Sequence, residues 1–581
     1  TAISGGTANF NGNATSAGGA LSGGNLSGSG VLTVSGTLSW TGGSMNGSGT
    51  TVIPGGGSLV LSGPNAKGFA QRTINNAGTT SLSGGDLWSG QGATFNNTGT
   101  FDVAGDTSFL SNLGGPATIN NTGSFQKSGG TGSTAIGPAF NNNGTLNVQS
   151  GTVSFYSGGD SHGTFNAAAG ATLNFAGGTM TLESNSTLTA AGTVSFSGAT
   201  VEVNGSYTVS GSTAISGGTA NFNGNATSAG GALSGGNLSG SGVLTVSGTL
   251  SWTGGNMNGS GTTVIPGGGS LVLSGPNAKG FAQRTINNAG TTSLSGGDLW
   301  SGQGAVFNNT GTFDVAGDTS FLSNLGGPAT INNTGSFQKS GGTGSTAIGP
   351  AFNNNGTLNV QTGTITMAGS SFSNSTTAVL QGSGTVDVSH TTFTTDGTFS
   401  PGNPLGALLV TGNLPQSTNG VINIQIGGTN AGVNYDQLIV TGSATLNGAL
   451  NISLVNGFRP SGGDTFEIIK YASHTGSFNN ISGLDLGGGF FLEPAFGSTN
   501  LILTTIDNRP RPQLSPPQRL PNGEIRITLT GVAGQTFVIQ ATTNLVSWDA
   551  VLTNVNSGAV FDLIITDSSF YPYRFYRTFQ P

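Results

Sequence analysis

An internal duplication constrains this chain most, because residues 1–152 recur almost unchanged as residues 213–364. The two copies are offset by 212 residues and differ at three positions, which are Ser44/Asn256, Thr94/Val306 and Ser150/Thr362. Copying a block lengthens a chain, which serves a spacer, a stalk or a fibre and adds little to an enzyme. The duplication therefore favours a repeat architecture with a structural role.

A shorter period lies inside each block. Asn-Asn-x-Gly-Thr/Ser recurs behind an apolar residue at Ile74, Phe95, Ile119 and Phe140, with steps of 21, 24 and 21 residues. The intervening segments are short, β-branched or alternating, and bounded by Gly and Asn, which is typical of strands joined by tight turns. A unit of this size cannot bury its own apolar face, so it must stack on its neighbours.

We therefore predict an all-β chain whose residues 1–400 form a right-handed parallel β-helix. Each strand pairs in parallel with its equivalent one coil away, and such crossovers are nearly always right-handed. At about 22 residues per coil and ~4.8 Å per coil, the helix has about 18 coils and is about 85 Å long. We divide it into a first repeat block, 1–212, and a second, 213–400.

Asparagine side chains at the bends are predicted to stack into ladders, each amide bonding the amides above and below it. The predicted ladder residues are Asn75, Asn96, Asn120 and Asn141, with Asn287, Asn308, Asn332 and Asn353 in the second copy. Phe101 and Phe125 are expected to point inward on neighbouring coils. Lys127 occupies the slot of Val103 and Val148, and we expect it just past the strand end with its amine in solvent.

After about Ser400 the strands become longer and more apolar. Ser400-Pro401-Gly402-Asn403, then Leu409–Leu414 and Tyr435–Gly442, resemble the end of the passenger region in autotransporter-type adhesins and related giant bacterial surface proteins. The resemblance covers roughly residues 380–506. It implies an exported β-helix with a distal cap, which we place at 401–506.

The Pro-rich segment 507–520 is predicted to be a stiff linker, and 521–581 a separate small β module. Ala541–Trp548 and Phe570–Arg577 resemble the immunoglobulin- or fibronectin-III-like modules that end many secreted proteins of Verrucomicrobia and Planctomycetes. The resemblance implies a β-sandwich with Trp548 as its core anchor. The candidate interface residues are Trp548, Tyr571, Tyr573, Phe575 and Tyr576.

Charge and composition limit the classes of binding partner that we expect. Only 6% of residues are charged, the net charge is −7 and Cys is absent. Without a basic patch, nucleic acid is not an expected partner, and no apolar run reaches the ~18–20 residues of a membrane span. We expect an extracellular or surface location with any signal peptide removed, no metal and no cofactor.

An enzymatic interpretation depends on carboxylates. Asp86 and Asp106, copied as Asp298 and Asp318, fall at similar positions on successive coils. A glycosidase-like pair would need them about 5–9.5 Å apart, whereas the simpler interpretation is solvated turn residues. Lys67 and Arg72 are likewise explained as solvated loop charges, so no catalytic residue is predicted.

The leading hypothesis is a non-enzymatic extracellular structural or adhesive protein, a surface stalk or a head-to-tail filament subunit. In the filament form, the first coil would meet a second copy, with Val560–Tyr576 as part of the mating surface. A polysaccharide lyase or hydrolase is the second hypothesis. A glycan-binding module on a rigid stalk is the third. The tryptophans could then stack on sugars, or they could simply pack under a loop; they are Trp40, Trp88, Trp252 and Trp300.

Overall fold

The computed structural model describes residues 1–531, 536–555, 560–566 and 573–579. Across these ranges every regular element is a β-strand. The strands wind into a parallel β-solenoid of about 20 turns, close to the predicted number, with small sheets at the C-terminal end. The predicted fold class is confirmed.

Three columns of parallel strands form the solenoid, and we name them the first, second and third faces. The first face contains Ala2–Ile3, Gly19–Leu21, Thr37–Trp40, Ser58–Leu61, Thr79–Leu82, Thr100–Val103, Ser124–Lys127, Thr145–Val148, Thr164–Ala167, Thr187–Ala190, Val243–Val246, Thr262–Ile265, Thr285–Asn288, Ala305–Asn309, Ala329–Asn333, Ala351–Asn354, Ser371–Asn374, Thr392–Thr395, Leu414–Pro415, Ser443–Leu446 and Ser473–Gly476. The second contains Thr7–Asn9, Asn25–Ser27, Gly43–Met45, Lys67–Ala70, Leu87–Gly90, Phe109–Leu110, Ser133–Ile136, Thr152–Phe155, Thr172–Phe175, Thr193–Phe196, Thr249–Trp252, Ser270–Leu273, Thr291–Leu294, Thr312–Val315, Ser336–Lys339, Thr357–Val360, Val379–Gly382, Thr398–Pro401, Val421–Ile426, Ala449–Leu454 and Asn480–Ser482. The third contains Ala14–Ser16, Val31–Val34, Thr50–Ile53, Thr73–Asn76, Thr94–Asn97, Thr118–Asn121, Ala139–Asn142, Gly158–Ser161, Thr179–Leu182, Thr200–Val203, Thr219–Phe222, Asn237–Ser239, Asn256–Met257, Lys279–Ala282, Leu299–Gly302, Phe321–Leu322, Ser345–Ile348, Thr364–Met367, Thr385–Asp387, Ala407–Thr411, Gln437–Val440 and Thr465–Lys470.

The core runs along the axis because alternate residues of each four-residue strand point inward. Thr100–Val103 shows the pattern, with Phe101 and Val103 fully buried and the other two residues half-buried. Like residues then stack on like. The Phe101 and Phe125 rings lie 4.6 Å apart and within 5° of parallel.

Two longer strands join the blocks. Ser206–Ile215 and Ala226–Leu233 each supply both the first and the second face, because no turn separates their halves. The parallel pairing therefore continues through residues 153–212 and into the second copy without interruption.

The second copy is displaced by one face relative to the first. Ten first-face steps lead from Ala2–Ile3 to the first half of Ser206–Ile215. The equivalent of Ala2–Ile3 is residues 214–215, in the second half of that strand, which belongs to the second face. A repeat of 212 residues thus makes ten turns plus one further face.

The predicted boundary at 400 is wrong for the parallel pairing, which crosses it. Thr398–Pro401 pairs with Val421–Ile426, which pairs in parallel with Ala449–Leu454. The coils lengthen here because the chain inserts longer turns between longer strands. The pairing turns antiparallel where Asn500–Asp507 joins both Thr465–Lys470 and Phe490–Phe496, and Asp485–Gly487 completes this end.

The last residues form two small antiparallel sheets. One contains Gln513–Leu514, Gln518–Arg519, Ile525–Thr530 and Val560–Ile565, and the other contains Thr536–Thr542, Asp549–Val555 and Phe575–Phe579. The expectation that 507–520 is only a linker is therefore wrong. Gln513 and Gln518 pair with Thr530 and Arg526 because the Pro-rich segment follows the edge of the first sheet.

Candidate functional site

Every lysine and arginine side chain of residues 1–400 is buried. These are Lys67, Arg72 and Lys127, with Lys279, Arg284 and Lys339 in the second copy, and each is 0% exposed. The interpretation of Lys67 and Arg72 as solvated loop charges is therefore wrong. Their aliphatic stems join the apolar core while their charged ends bond backbone carbonyls at the turns.

Arg72 is held without a carboxylate. Its Nε donates to Thr51 Oγ1 at 2.9 Å, and its terminal nitrogens donate to the carbonyls of Asn46 at 3.1 Å and Thr50 at 3.3 Å. Burial lowers the pKa of the Arg72 guanidinium to about 10. Lys67 donates to the carbonyls of Asn65, at 2.9 Å, and Gly84, and burial lowers its pKa as well.

The prediction that Lys127 lies past the strand end with its amine in solvent is also wrong. This residue lies within Ser124–Lys127, in the inward row between Val103 and Val148, instead of past the strand end. Its amine donates to the carbonyls of Gly105 and Gly129, both at 2.9 Å, and pairs with Asp106 at 3.0 Å. The turn carbonyls and this carboxylate replace the water that we expected around the amine.

The candidate catalytic carboxylates each have a structural partner. Asp86 Oδ1 accepts a hydrogen bond from the backbone N–H of Ser108 at 2.9 Å. Asp106 accepts from Lys127 and from the backbone N–H of Gly132, and the Lys127 hydrogen bond is the main cause that lowers its pKa. Ion pairing, instead of shared proton transfer, explains the position of Asp106.

The predicted asparagines form an outer ladder on the half-buried side of their strands. Asn96 donates to Asn75 at 2.8 Å, and the Asn120–Asn96 and Asn141–Asn120 bonds are each 2.9 Å. The second copy repeats the series with 2.9 Å bonds through Asn287, Asn308, Asn332 and Asn353. These residues lie within strands, one position before the strand end, instead of at the bends.

A second, buried ladder was not predicted as such. Asn76, Asn97, Asn121 and Asn142 follow the outer residues in sequence and are joined by successive 2.7 Å bonds. Each amide also donates to a carbonyl at the bend, as Asn97 does to Ser124 at 3.0 Å. The Asn-Asn pair was the available signal, since adjacent strand residues face opposite sides.

The four solenoid tryptophans divide into two classes. Trp40 and Trp252 are fully buried, and the Trp40 indole N–H donates to the carbonyl of Gly43 at 3.3 Å. Trp88 and Trp300 are each 39% exposed, at the outward position of Leu87–Gly90 and of its copy. Only these two are placed to contact a ligand.

Trp88 lies in a row of outward positions along the second face. The row is Thr7, Asn25, Ser44, Gly68, Trp88 and Leu110, in register from strand to strand. Gly68 has no side chain of its own, and the Ser44 hydroxyl lies over it, as the Asn256 amide does over buried Gly280 in the second copy. Half-buried Leu110 borders the indole on the other side. The row carries no charged side chain.

Two exposed glutamines follow the strands of this row. Gln71 and Gln91 have φ of 59° and 56°, and their copies Gln283 and Gln303 have 61° and 55°. In the second copy the Gln283 amide donates to Gln303 Oε1 at 3.1 Å, so the pair is in contact across neighbouring coils. We call Trp88, Gln71, Gln91, Gly68 and Leu110, with their copies, the tryptophan patch.

Two of the three differences between the copies border the tryptophan patch. Ser44, which is Asn256 in the second copy, lies in the same outward row beside Gly68. Thr94, which is Val306, begins the strand that follows Gln91. The interior of the two copies is unchanged.

Three further titratable groups have local partners. His162 shares a 2.8 Å hydrogen bond with Asn185, and His474 packs against Tyr471. Burial raises the pKa of the Asp436 carboxyl to about 6, and its two oxygens accept from the N–H groups of Gly406 and Gln425. The described part of the chain holds no group of three or more His, Cys, Asp or Glu residues placed for a metal ion.

The candidate interface residues lie in the last module. Tyr573 is 63% exposed and Phe575 is 46% exposed, while Tyr576 is half-buried. Trp548 is half-buried beneath the Arg577 guanidinium, 4.2 Å from its ring centre, so its expected role as core anchor is wrong. Tyr571 lies outside the described residues.

Among the described residues, none belongs to a helix of the length and apolarity that a membrane crossing requires.

No protein-family model matches the chain, and no curated protein shows significant sequence similarity to it.

Proposed function

We propose that this protein is a rigid extracellular spacer, a stalk whose length was increased by copying one block. The observation that carries the proposal is the unbroken parallel pairing through both copies and through the join between them. Backbone hydrogen bonds and a single axial core resist bending, because every coil contacts its neighbours over three faces. The enzyme and adhesin interpretations, the extracellular location and the head-to-tail assembly stay predictions.

The surface composition supports this role. With the six Lys and Arg side chains of residues 1–400 buried, the surface of this part of the solenoid exposes no lysine or arginine. Such a surface gives little non-specific attraction to nucleic acid or to acidic polymers. The absence of Cys means that stability comes from stacking and needs no disulfide-forming environment.

Removing one repeat tests the proposal. Deleting residues 153–364 joins Thr152 to Ile365, which reproduces the natural Thr364–Ile365 sequence. Because this removes ten turns plus one face, we expect a rod about 50 Å shorter at ~4.8 Å per coil. Electron microscopy of the two proteins measures the difference, and the thermal midpoint is expected to change little.

A matched control separates length from folding. Deleting residues 153–358 removes six fewer residues and joins strands out of register, so it should yield a protein that does not form a uniform rod. The spacer proposal would be contradicted if the in-register deletion left the particle length unchanged or prevented folding.

A further inference from the structure

We propose that each block carries a binding site for uncharged polysaccharide at its tryptophan patch, and that the two sites face different sides of the solenoid. One molecule would then hold two separate polysaccharide chains. This goes beyond the spacer role, which requires no ligand.

The first step is the exposure of the indole. Leu, Ile, Phe and Met residues of the repeat are overwhelmingly inward, yet Trp88 and Trp300 present 39% of their surface to solvent. The exposed part of each flat ring is accessible to a ligand, and the apolar C–H face of a pyranose ring stacks on such a surface.

The second step is the strained backbone of the glutamines. The left-handed region is sterically unfavourable for a non-glycine residue, and Gln71 and Gln91 adopt it at adjacent turns. Both side chains are exposed, and the Gln91 amide donates to the carbonyl of Leu113 at 3.0 Å, as that of Gln303 does to Leu325 at 3.1 Å. These glutamines directly follow the strands that carry Gly68 and Trp88, and their remaining amide donors and acceptors can bond sugar hydroxyls. Backbone strain of this kind clusters at ligand sites.

The third step is charge. An acidic polysaccharide needs exposed Lys or Arg, and every such residue of 1–400 is buried. The carboxylates that remain outside, Asp86 and Asp106 among them, would repel a polyanion. Charge complementarity therefore selects a ligand without carboxylate or sulfate groups.

The fourth step is the phase of the duplication. Trp88 projects from the second face and Trp300 from the third. Ten turns plus one face separate them, which is about 50 Å along the axis. A polysaccharide chain lying along one face meets one indole, so the second site is free for another chain.

Affinity electrophoresis tests the binding. The wild-type protein is run in gels containing hydroxyethyl cellulose, soluble β-1,3-glucan, xylan or galactomannan, with polygalacturonate as the acidic counterpart. We expect retardation by at least one neutral polymer and none by polygalacturonate. Replacing both Trp88 and Trp300 by alanine should weaken binding at least about tenfold, as loss of the ring contacts implies.

Tyr156→Ala is the control, because Tyr156 is 53% exposed but lies outside the patch, and it should bind as the wild type does. Rod length and thermal midpoint of every variant report on folding, so loss of binding with an intact rod leaves the spacer role standing. No retardation by any neutral polymer, equal retardation of the double variant, or retardation by polygalacturonate alone would overturn the site.

Light scattering tests the two-chain arrangement. Wild-type protein mixed with the retarding polymer should form cross-linked aggregates at low protein-to-polymer ratio. Trp88→Ala and Trp300→Ala should each still bind, yet form no cross-linked aggregates. If either single variant cross-links as strongly as the wild type, the proposal that two patches join two chains is overturned.

Discussion

Replacing Arg72 with leucine is expected to lower the local opening free energy of its coils by about 3 kcal/mol, since buried acceptors lose their donor. Leucine fills the space of the stem but leaves Thr51 Oγ1 and the carbonyls of Asn46 and Thr50 unpaired. Leucine also removes a buried charge, which is favourable. This gain offsets only part of the cost, because the acceptors already satisfy the guanidinium in the wild-type protein. Arg284→Leu should have the same effect in the second copy.

Native-state hydrogen exchange measures the result coil by coil, which suits a repeat protein whose segments open separately. The substituted peptide differs in mass from its copy, so the unmodified block is an internal control. Arg459→Leu, at an exposed arginine, should change protection by less than about 0.5 kcal/mol. Unchanged exchange around Arg72→Leu would show that its hydrogen bonds do not hold these coils together.

The buried asparagine ladder gives the second large effect. Asn121→Ala is expected to cost about 2–4 kcal/mol, because it leaves the buried side-chain oxygen of Asn142 without a donor. It also removes the bond between the Asn97 amide and Asn121, so that this amide keeps only its backbone acceptors. Asn120→Ala removes the neighbouring outer rung, where water replaces the lost bonds, and should cost less than about 1 kcal/mol.

The two asparagines are adjacent in sequence and identical in chemistry, so the comparison isolates burial. Hydrogen exchange of residues 94–148 measures both variants, with residues 306–360 as the unmodified copy. Equal costs for the two substitutions would contradict the distinction between a buried and an outer ladder.

Much of the architecture could be predicted because its signals are local and repeated. The steps between Ile74, Phe95 and Ile119 match strand partners in the structure, residue for residue. Alternation within four residues placed Phe101 and Phe125 inward. Repetition of a short unit leaves few other ways to bury these side chains.

The positions of the basic residues could not be predicted in the same way. From sequence alone, a lysine at the position equivalent to Val103 is predicted to lie past the strand end with its amine in solvent, because burying an isolated ammonium is costly. The carbonyls of Gly105 and Gly129, which accept from the amine, are brought together only when two neighbouring coils are stacked. The same holds for Arg72, whose acceptors lie up to 44 residues away, at the carbonyl of Gly28.

The displacement of the second copy by one face could not be predicted from the sequence either. Coil lengths vary along residues 1–212, and two strands span two faces without a turn. A one-face displacement therefore depends on the sum of many small steps, and no single motif encodes it. The prediction that the β-helix ends near residue 400 was wrong for a different reason. The strands become longer there, but a change of strand length does not require a change of pairing.

The most direct test of one continuous, phased solenoid is a distance between equivalent points of the two copies. Because the chain has no Cys, the exposed residues Ser83 and Ser295 can be replaced by cysteine and spin-labelled specifically. Pulsed electron resonance should give one narrow distance distribution near about 50 Å, as ten turns plus one face at ~4.8 Å per coil require. A broad distribution, or a peak below about 30 Å from copies folded side by side, would contradict the continuous solenoid.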